Sequence, residues 1–359
     1  MSVCIGILGA TGKVGHVAAK YLEPDFQVLK AARSNIGGNN SYRVDADKDE
    51  ELIDFAKKCD VVINAVGPSY EKSERIMKAV NNCNVSCIDL FGTKLIESGS
   101  SDNGASGDIL NIIGAGCEPG ITGAILDRLA KNYEDGDQLL LIKGGEETGG
   151  VAALKDIILS SLSGYIMPNK VLKDGRLKER KMYGEIKEEV EGFGAYVYKD
   201  IIMDQEGLSV CNKYGVKDFE QYKSYADIAS KNLITEGCVR YAVAVDLESR
   251  NRICEDIYNQ QVNIIRGRKQ WVSINAVLKK RNSYNSIIIR GKDSSYLSGL
   301  TAAIAAKSLL NSNKNRVKGM VWAYDFVDSE YLFECLKKAG VSITENTETT
   351  DNQVEYGEI

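Results

Sequence analysis

Three glycines near the head of the chain, Gly9, Gly12 and Gly15, are spaced as G-x-x-G-x-x-G. That spacing suits a tight turn whose backbone closes on a diphosphate, with the free N–H groups of a following helix as donors. An ordinary glycine-rich turn would carry the same letters. A second group, Arg33-Ser34, ends the apolar run Gln27 to Ala32, and no Asp or Glu lies between Phe26 and Tyr42. An NAD site places a carboxylate at this point to hold both ribose hydroxyls. A guanidinium fork beside a hydroxyl suits a 2′-phosphate instead, so NADP is expected rather than NAD, unless Arg33 is only a solvated strand-end residue. A third group, Ala65-Val66-Gly67-Pro68, closes a short apolar run and is expected at the edge of the same cleft, near the nicotinamide ribose, or as a plain loop.

Hydride transfer belongs to the cofactor, and the protein must position it and manage one proton. His16 is the one histidine and follows Gly15 directly, so Ser-His-Asp and Cys-His mechanisms are poorly supported. The proton must then pass through Asp, Glu, Lys, Tyr, Cys or water. Cys117 and Glu118, in the second glycine motif GAGCEPG, are the candidates placed best. Asp89 ends a strand, where such sheets put their chemistry, although a cap on the following turn is the competing reading. Cys117 competes with a small buried filler. Glu146 and Glu147 are candidates for a substrate amine, and Lys143, Arg240 or Tyr241 for a substrate carboxylate. Nothing in the sequence singles one of these out.

The elements that must hold these residues are visible in the first third of the chain. Val3, Ile5, Ile7 and Leu8 read as a buried parallel strand, and Val14, Val17, Ala18, Tyr21 and Leu22 as one face of a helix. Strands and helices then alternate through Leu110 to Gly114 and a helix opening at Pro119, whose N-terminus would be a second anion-friendly site. Residues 97–108 form a polar loop. After about residue 137 the pattern shifts to turn-bounded runs, which predict a mixed or mostly antiparallel sheet. Helices are expected at 297–310 and 328–339, with a polar, acidic, disordered tail behind them.

A chain of 359 residues with a net charge of −5 is long enough for two cores and carries no broad surface for nucleic acid or anionic membrane. Nine scattered cysteines suit a reducing cytosol, hence a cytoplasmic protein. Cys83 and Cys87 could form half a metal site, but buried thiols are the better reading and no metal is expected. No signal peptide or bilayer-spanning stretch is visible.

In order and spacing, GATGKVG, NAVGP, CIDLFG and GAGCEPG resemble the saccharopine dehydrogenase-like NAD(P)-dependent reductases. SGLTAAIAAKSLL and KGMVWAYDFVDSEYLFECLKKAGV are similar to that family's closing segment. The resemblance covers roughly residues 1–130 and 297–340; the middle matches weakly. It implies an α/β protein, a Rossmann-type doubly wound parallel sheet with an inserted second α+β domain. Residues 1–122 and 317–342 would bind the dinucleotide, 123–316 would bind substrate and dimerise, and 343–359 would be a flexible tail. It further implies hydride transfer to or from an imine, a C–N bond of an amino-acid-derived small molecule, in a cytoplasmic homodimer. Gly9, Thr11, Gly12, Lys13 and Val14 would line the diphosphate, with Gly15 completing the motif. Arg33 and Ser34 would meet the adenosine, Ala65, Val66, Gly67 and Pro68 the nicotinamide ribose, and Asp89, Cys117 and Glu118 the nicotinamide. One departure is that Glu118 stands where related proteins often have an aspartate. Two other readings are an enoyl reductase, which would need a deep apolar pocket, and a non-catalytic NADP-sensing protein, which would need a cleft without ionisable groups.

Overall fold

The computed structural model describes residues 3–34, 37–92, 109–182, 184–311 and 318–349; the polar loop 97–108 falls outside them. The first strands are β1 (Cys4–Leu8), β2 (Gln27–Ala32), β3 (Ser41–Arg43), β4 (Val61–Asn64), β5 (Ser86–Asp89) and β6 (Leu110–Ile113). Every residue of β1, β4 and β6 is buried. That is why they read as continuous apolar runs rather than alternating ones: helices cover both faces. Helix α1 (Lys13–Leu22) lies on one face, and α2 (Asp49–Ala56) and α3 (Ser69–Asn81) on the other, where Leu52, Phe55, Ile76 and Val80 pack with Leu8 and Val62. Each such side chain contributes about 2 kcal/mol by leaving water.

The chain continues through α4 (Ile121–Ala130) into a second sheet: β7 (Gln138–Glu146), β8 (Ile166–Pro168), β9 (Lys170–Lys173), β10 (Arg176–Glu179), β11 (Lys187–Glu189), β12 (Tyr196–Asp204), β13 (Phe219–Tyr225), β14 (Trp271–Lys279) and β15 (Ser283–Gly291). Helix α5 (Val151–Ser163) follows β7, α6 (Gln205–Tyr214) follows β12, and α7 (Ile228–Val243) and α8 (Leu247–Ile264) follow β13. Helix α9 (Ser294–Asn311) is apolar almost all round, with Leu297, Leu300, Ile304 and Leu309 buried. It packs along α1, beneath β4 and β5.

The chain then returns as β16 (Gly319–Trp322), parallel to β6. Two helices follow, α10 (Ala323–Phe326) and α11 (Ser329–Lys338). Helix α11 packs on α9 and α4, and its Cys335 reaches Tyr21 of α1. A last strand, β17 (Ser342–Thr349), pairs antiparallel with β15 in the second sheet. The expectation of a flexible tail from residue 343 is therefore corrected through Thr349. Its Ser, Thr, Asn and Glu are the composition of a solvated edge strand as well as of a disordered end. Residues 350–359 lie outside the described ones.

The described strands of the first sheet run β16-β6-β5-β4-β1-β2-β3, all parallel. This is a Rossmann order, with chain direction across the sheet reversing between β1 and β4. The second sheet is mixed: β13 and β7 are parallel, and β7, β14, β15 and β17 alternate in direction. One apolar core joins α1, α4, α9 and α11 to the inner face of β7, β14 and β15.

Candidate active site

A cleft of about 540 Å³ opens where the first sheet reverses, between β1 and β4. Gly9, Thr11 and Gly12 form its floor, Ala65, Val66, Gly67 and Pro68 one wall, and Ala32 and Arg33 the far end. The turn is tight because Gly9 has φ +78°, and a Cβ there would strike the Ala65 carbonyl oxygen at 2.6 Å. The first N–H groups of α1 have no partner within the helix, which leaves donors for an anion at this floor. Glycine backbone without Cβ, helix N-terminus and a basic far end fit the diphosphate and adenosine of a dinucleotide.

Eight of the expected cofactor residues thus line one cleft. The other four do not line it. Lys13 reaches across to the second domain, its Nζ donating to the Thr148 carbonyl at 3.4 Å. Val14 is half-buried in α1, and Gly15 packs beneath the Gly9 carbonyl. Ser34 is exposed past the end of β2, as is His16 on α1. The far end also holds Asp45 and Asp47, which the sequence places after β3 rather than β2. Lys72 Nζ lies 2.6 Å from both oxygens of Asp47 and, with burial opposing, holds that carboxyl below its usual range.

These positions separate the three glycines by role. A Cβ at Gly15 would sit 2.4 Å from the Gly9 carbonyl oxygen, whereas one at Gly12 would sit 3.3 Å from it, at the cleft floor. Gly15→Ala is expected to lower stability by about 2 kcal/mol. Gly12→Ala is expected to melt within about 0.5 kcal/mol of the parent yet bind NADPH at least ~10-fold more weakly. Thermal melts and a fluorescence titration separate the two, and an NADPH affinity unchanged in Gly12→Ala would remove this turn from the cofactor site.

The second domain roofs the cleft. Val151, Ala152 and Lys155 of α5 and Asn251 of α8 line it from above. Asp156 accepts the Ser69 and Tyr70 N–H groups at 2.9 and 2.8 Å, so a residue of one domain caps a helix of the other. Burial pushes its carboxyl up to about 7 against those two bonds. Beside it, Lys155 pairs with Glu71 at 2.8 Å.

The proton candidates sit elsewhere. Asp89 is fully buried and accepts from Asn64 Nδ2 (2.6 Å), Ser73 Oγ (2.9 Å) and the Phe91 N–H (2.9 Å). Burial raises its carboxyl. With both oxygens engaged inside the sheet, Asp89 braces the β5 turn in the manner of a cap. Cys117 is also buried, and burial, then Glu118 and Glu147, push its thiol well above its ordinary value. It is a neutral filler, with its backbone N–H on Ser298 Oγ at 2.9 Å.

Glu118 is different. It lies 3.5 Å from Lys143 Nζ and 3.2 Å from Lys223 Nζ. Burial works against its charge, but the two lysines outweigh it and hold the carboxyl below its usual range. Lys143 and Lys223 face the same residue because β7 and β13 are parallel neighbours in register at this pair. Lys143 is buried, 2.7 Å from Asp204, and Asp204 and Glu118 overcome the cost of burial to keep its ammonium charged. Glu147 is tied to the α9 N-terminus, accepting the Ser294 N–H at 2.7 Å, and burial raises its carboxyl.

The helix opening after Pro119 does not offer its N-terminus to the cleft. It begins at Ile121, and the Gly120 N–H donates to Glu206 Oε1 at 2.7 Å. Thr122 donates to the other oxygen. Burial, then Asp204, pushes the Glu206 carboxyl up to about 8. The expected second anion site is occupied by a side chain of the protein itself. Lys223, Asp204 and Glu206 were not found by sequence reasoning, and Lys143 was only one of several possible carboxylate holders. Lys143, Lys223 and Asp204 lie in strands and Glu206 in α6, where single charges carry no periodic signal, and the partners of the two lysines are 61 and 105 residues away.

No protein-family model matches the sequence, and no curated protein does. Among solved structures, apo saccharopine dehydrogenase (L-Glu forming) from Saccharomyces cerevisiae superposes over 96% of this chain and 100% of its own, with a TM-score of 0.64 at 14% identity. The chain has the fold of saccharopine dehydrogenase. The DAP dehydrogenase of C. glutamicum, in complex with DAP, is also similar: TM-score 0.51, 11% identity, 94% of this chain and 98% of that one. So is an engineered D-amino acid dehydrogenase bound to NADP+, at TM-score 0.50, 12% identity, 94% of this chain and 99% of that one. The saccharopine dehydrogenase fold thus accounts for the Rossmann sheet and the inserted mixed sheet together. Among the described residues no helix is long and apolar enough to cross a membrane, and no group of three or more His, Cys, Asp or Glu could hold a metal.

Proposed function

We propose that the protein is an NADP-dependent oxidoreductase of the saccharopine dehydrogenase type, moving hydride to or from a C–N bond of an amino-acid-derived substrate. The observation that carries this reading is the Lys143–Glu118–Lys223 ion network, built between the two domains from the turn after β6 and from β7 and β13. A bound nicotinamide dinucleotide supplies the hydride chemistry. Glu118, kept ionised by its lysines, would stabilise the positive charge of the protonated imine that must form before hydride arrives. Asp156 and Lys155 hold the roof of the cleft against α3. A charged network of this kind disfavours an apolar enoyl pocket, and a cleft beside ionisable groups disfavours a bare sensor.

The test is NADPH oxidation with a panel of amines, each combined with an aldehyde or a 2-oxo acid, with the secondary amine identified by mass. Turnover with enoyl substrates alone, or with nothing, would sink the reading. Cofactor choice rests on Arg33, exposed at the far end of the cleft. Arg33→Ala is expected to weaken NADPH binding by about 10–100-fold and NADH binding by less than ~3-fold. Equal losses for the two cofactors would assign Arg33 no part in the choice.

A further inference from the structure

The first N–H groups of α3 have no carbonyl partner inside their own helix, and two of them are satisfied from across the domain boundary. Ser69 donates to Asp156 Oδ2 at 2.9 Å and Tyr70 to Asp156 Oδ1 at 2.8 Å. The acceptor stands on α5, and α5 lies directly on the turn before α3: a Cβ at Gly67 would sit 2.8 Å from the Ala152 Cβ. Gly67 and Pro68 wall the cleft, while Val151, Ala152 and Lys155 of α5 roof it. A dinucleotide on Gly9, Thr11 and Gly12 therefore has α5 above it. Lifting α5 off Gly67 parts both Asp156 bonds at once.

We propose that Asp156 is a clasp between the two domains, which parts to let the dinucleotide in and out. The groups around it set closure against ionisation. Glu71 of α3 and Asp89 of β5 face it with like charge. Lys155, its neighbour on α5, is turned instead to Glu71 at 2.8 Å and to Asn251 of α8 at 3.1 Å. Tyr241 of α7 and Arg250, Cys254 and Glu255 of α8 gather around that pair, and β8, which also packs on α5, carries no titratable side chain. With the clasp closed, burial holds the Asp156 carboxyl up to about 7 against its two N–H bonds, and Asp89 and Glu71 add to the rise. With the clasp parted, the carboxyl meets water and returns toward the ordinary range of about 4. Closure therefore takes up a proton. The closed form gains as pH falls below about 7, and that gain is lost as pH rises through it.

The clasp rests on the proposed cofactor only for what the cleft holds, so it is read in two ways. NADPH release is followed by stopped-flow fluorescence. Hydrogen exchange at the Ser69 and Tyr70 amides, corrected for the intrinsic effect of pH, is followed by NMR in the protein without cofactor. Both are run on the parent, Asp156→Asn and Asp156→Ala. From about pH 5.5 to about pH 8, the parent's release rate and its corrected exchange should each rise about 10–30-fold. Asp156→Asn keeps the shape and cannot titrate, so both of its readings should change by less than ~3-fold. Asp156→Ala should release NADPH at both pH values at least as fast as the parent does at the higher one. A parent that releases NADPH independently of pH, or an Asp156→Asn that follows the parent's pH dependence, would overturn the clasp. No NADPH binding in any of the proteins, with exchange that still rises with pH in the parent alone, would uphold the clasp and overturn the cofactor reading. NADPH bound by the parent, with release and exchange both flat in pH, would do the reverse.

Discussion

Replacing Glu206 with glutamine is expected to make the protein more resistant to unfolding at alkaline pH and to leave it nearly unchanged at acid pH. The carboxyl is 1% exposed and burial, reinforced by Asp204, moves it up to about 8. A group whose folded value is raised keeps its full contribution below the unfolded value, near pH 4.5. It loses that contribution as pH rises through the folded one. From about pH 5.5 to about pH 8.5 the parent should lose about 3 kcal/mol relative to Glu206→Gln. Glutamine preserves an acceptor for the Gly120 N–H and a partner for Thr122, so it keeps the brace on α4 while removing the titration. Urea denaturation of both proteins at the two pH values measures the difference. A gap that does not widen with pH would show that Glu206 is ionised in the folded protein, and that Lys143 and the N–H of Gly120 outweigh its burial.

The second large effect is on turnover. Glu118→Gln is expected to reduce kcat by about 100-fold while the NADPH dissociation constant stays within about 3-fold. The carboxyl lies in the lysine network, and it is not among the groups that line the dinucleotide cleft. Its loss removes the charge set against a developing iminium and takes from Lys223 its ion-pair partner among the described residues. Glu118→Asp should recover part of the rate, because the charge returns one methylene shorter. Since the lysines hold the carboxyl below its usual range, its charge persists as pH falls through the ordinary glutamate region. No loss of activity near pH 4.5 to 6 should therefore trace to Glu118. Steady-state kinetics beside a cofactor titration read these outcomes, and an unchanged kcat in Glu118→Gln would take the residue out of the chemistry.

The amino-acid sequence by itself determined the Rossmann half and its floor. Strand, glycine turn and helix are contiguous in the first 22 residues, and their signals are local: an apolar run, glycines where backbone must crowd, a helical face. Arg33 and the Ala65 to Pro68 turn were readable for the same reason, each lying just past an apolar strand. The break to a mixed sheet after residue 137 was visible in the change of pattern. The tertiary structure decided the rest. Asp89 and Cys117 looked like chemistry because strand ends often are, but their burial and hydrogen bonds come from neighbours up to 181 residues away. Lys143 and Lys223 become a pair only because β7 and β13 run parallel in one register, a relation no spacing in the chain encodes. The strand Ser342–Thr349 needed β15 as a partner before its polar residues meant an edge rather than a loose end. Glu206 could reach the start of α4 only once the second domain had closed against the first. Local patterning fixes which segments become strands and helices; which charges share a buried site depends on distant segments meeting, and the free energy of that meeting is not written in either one alone.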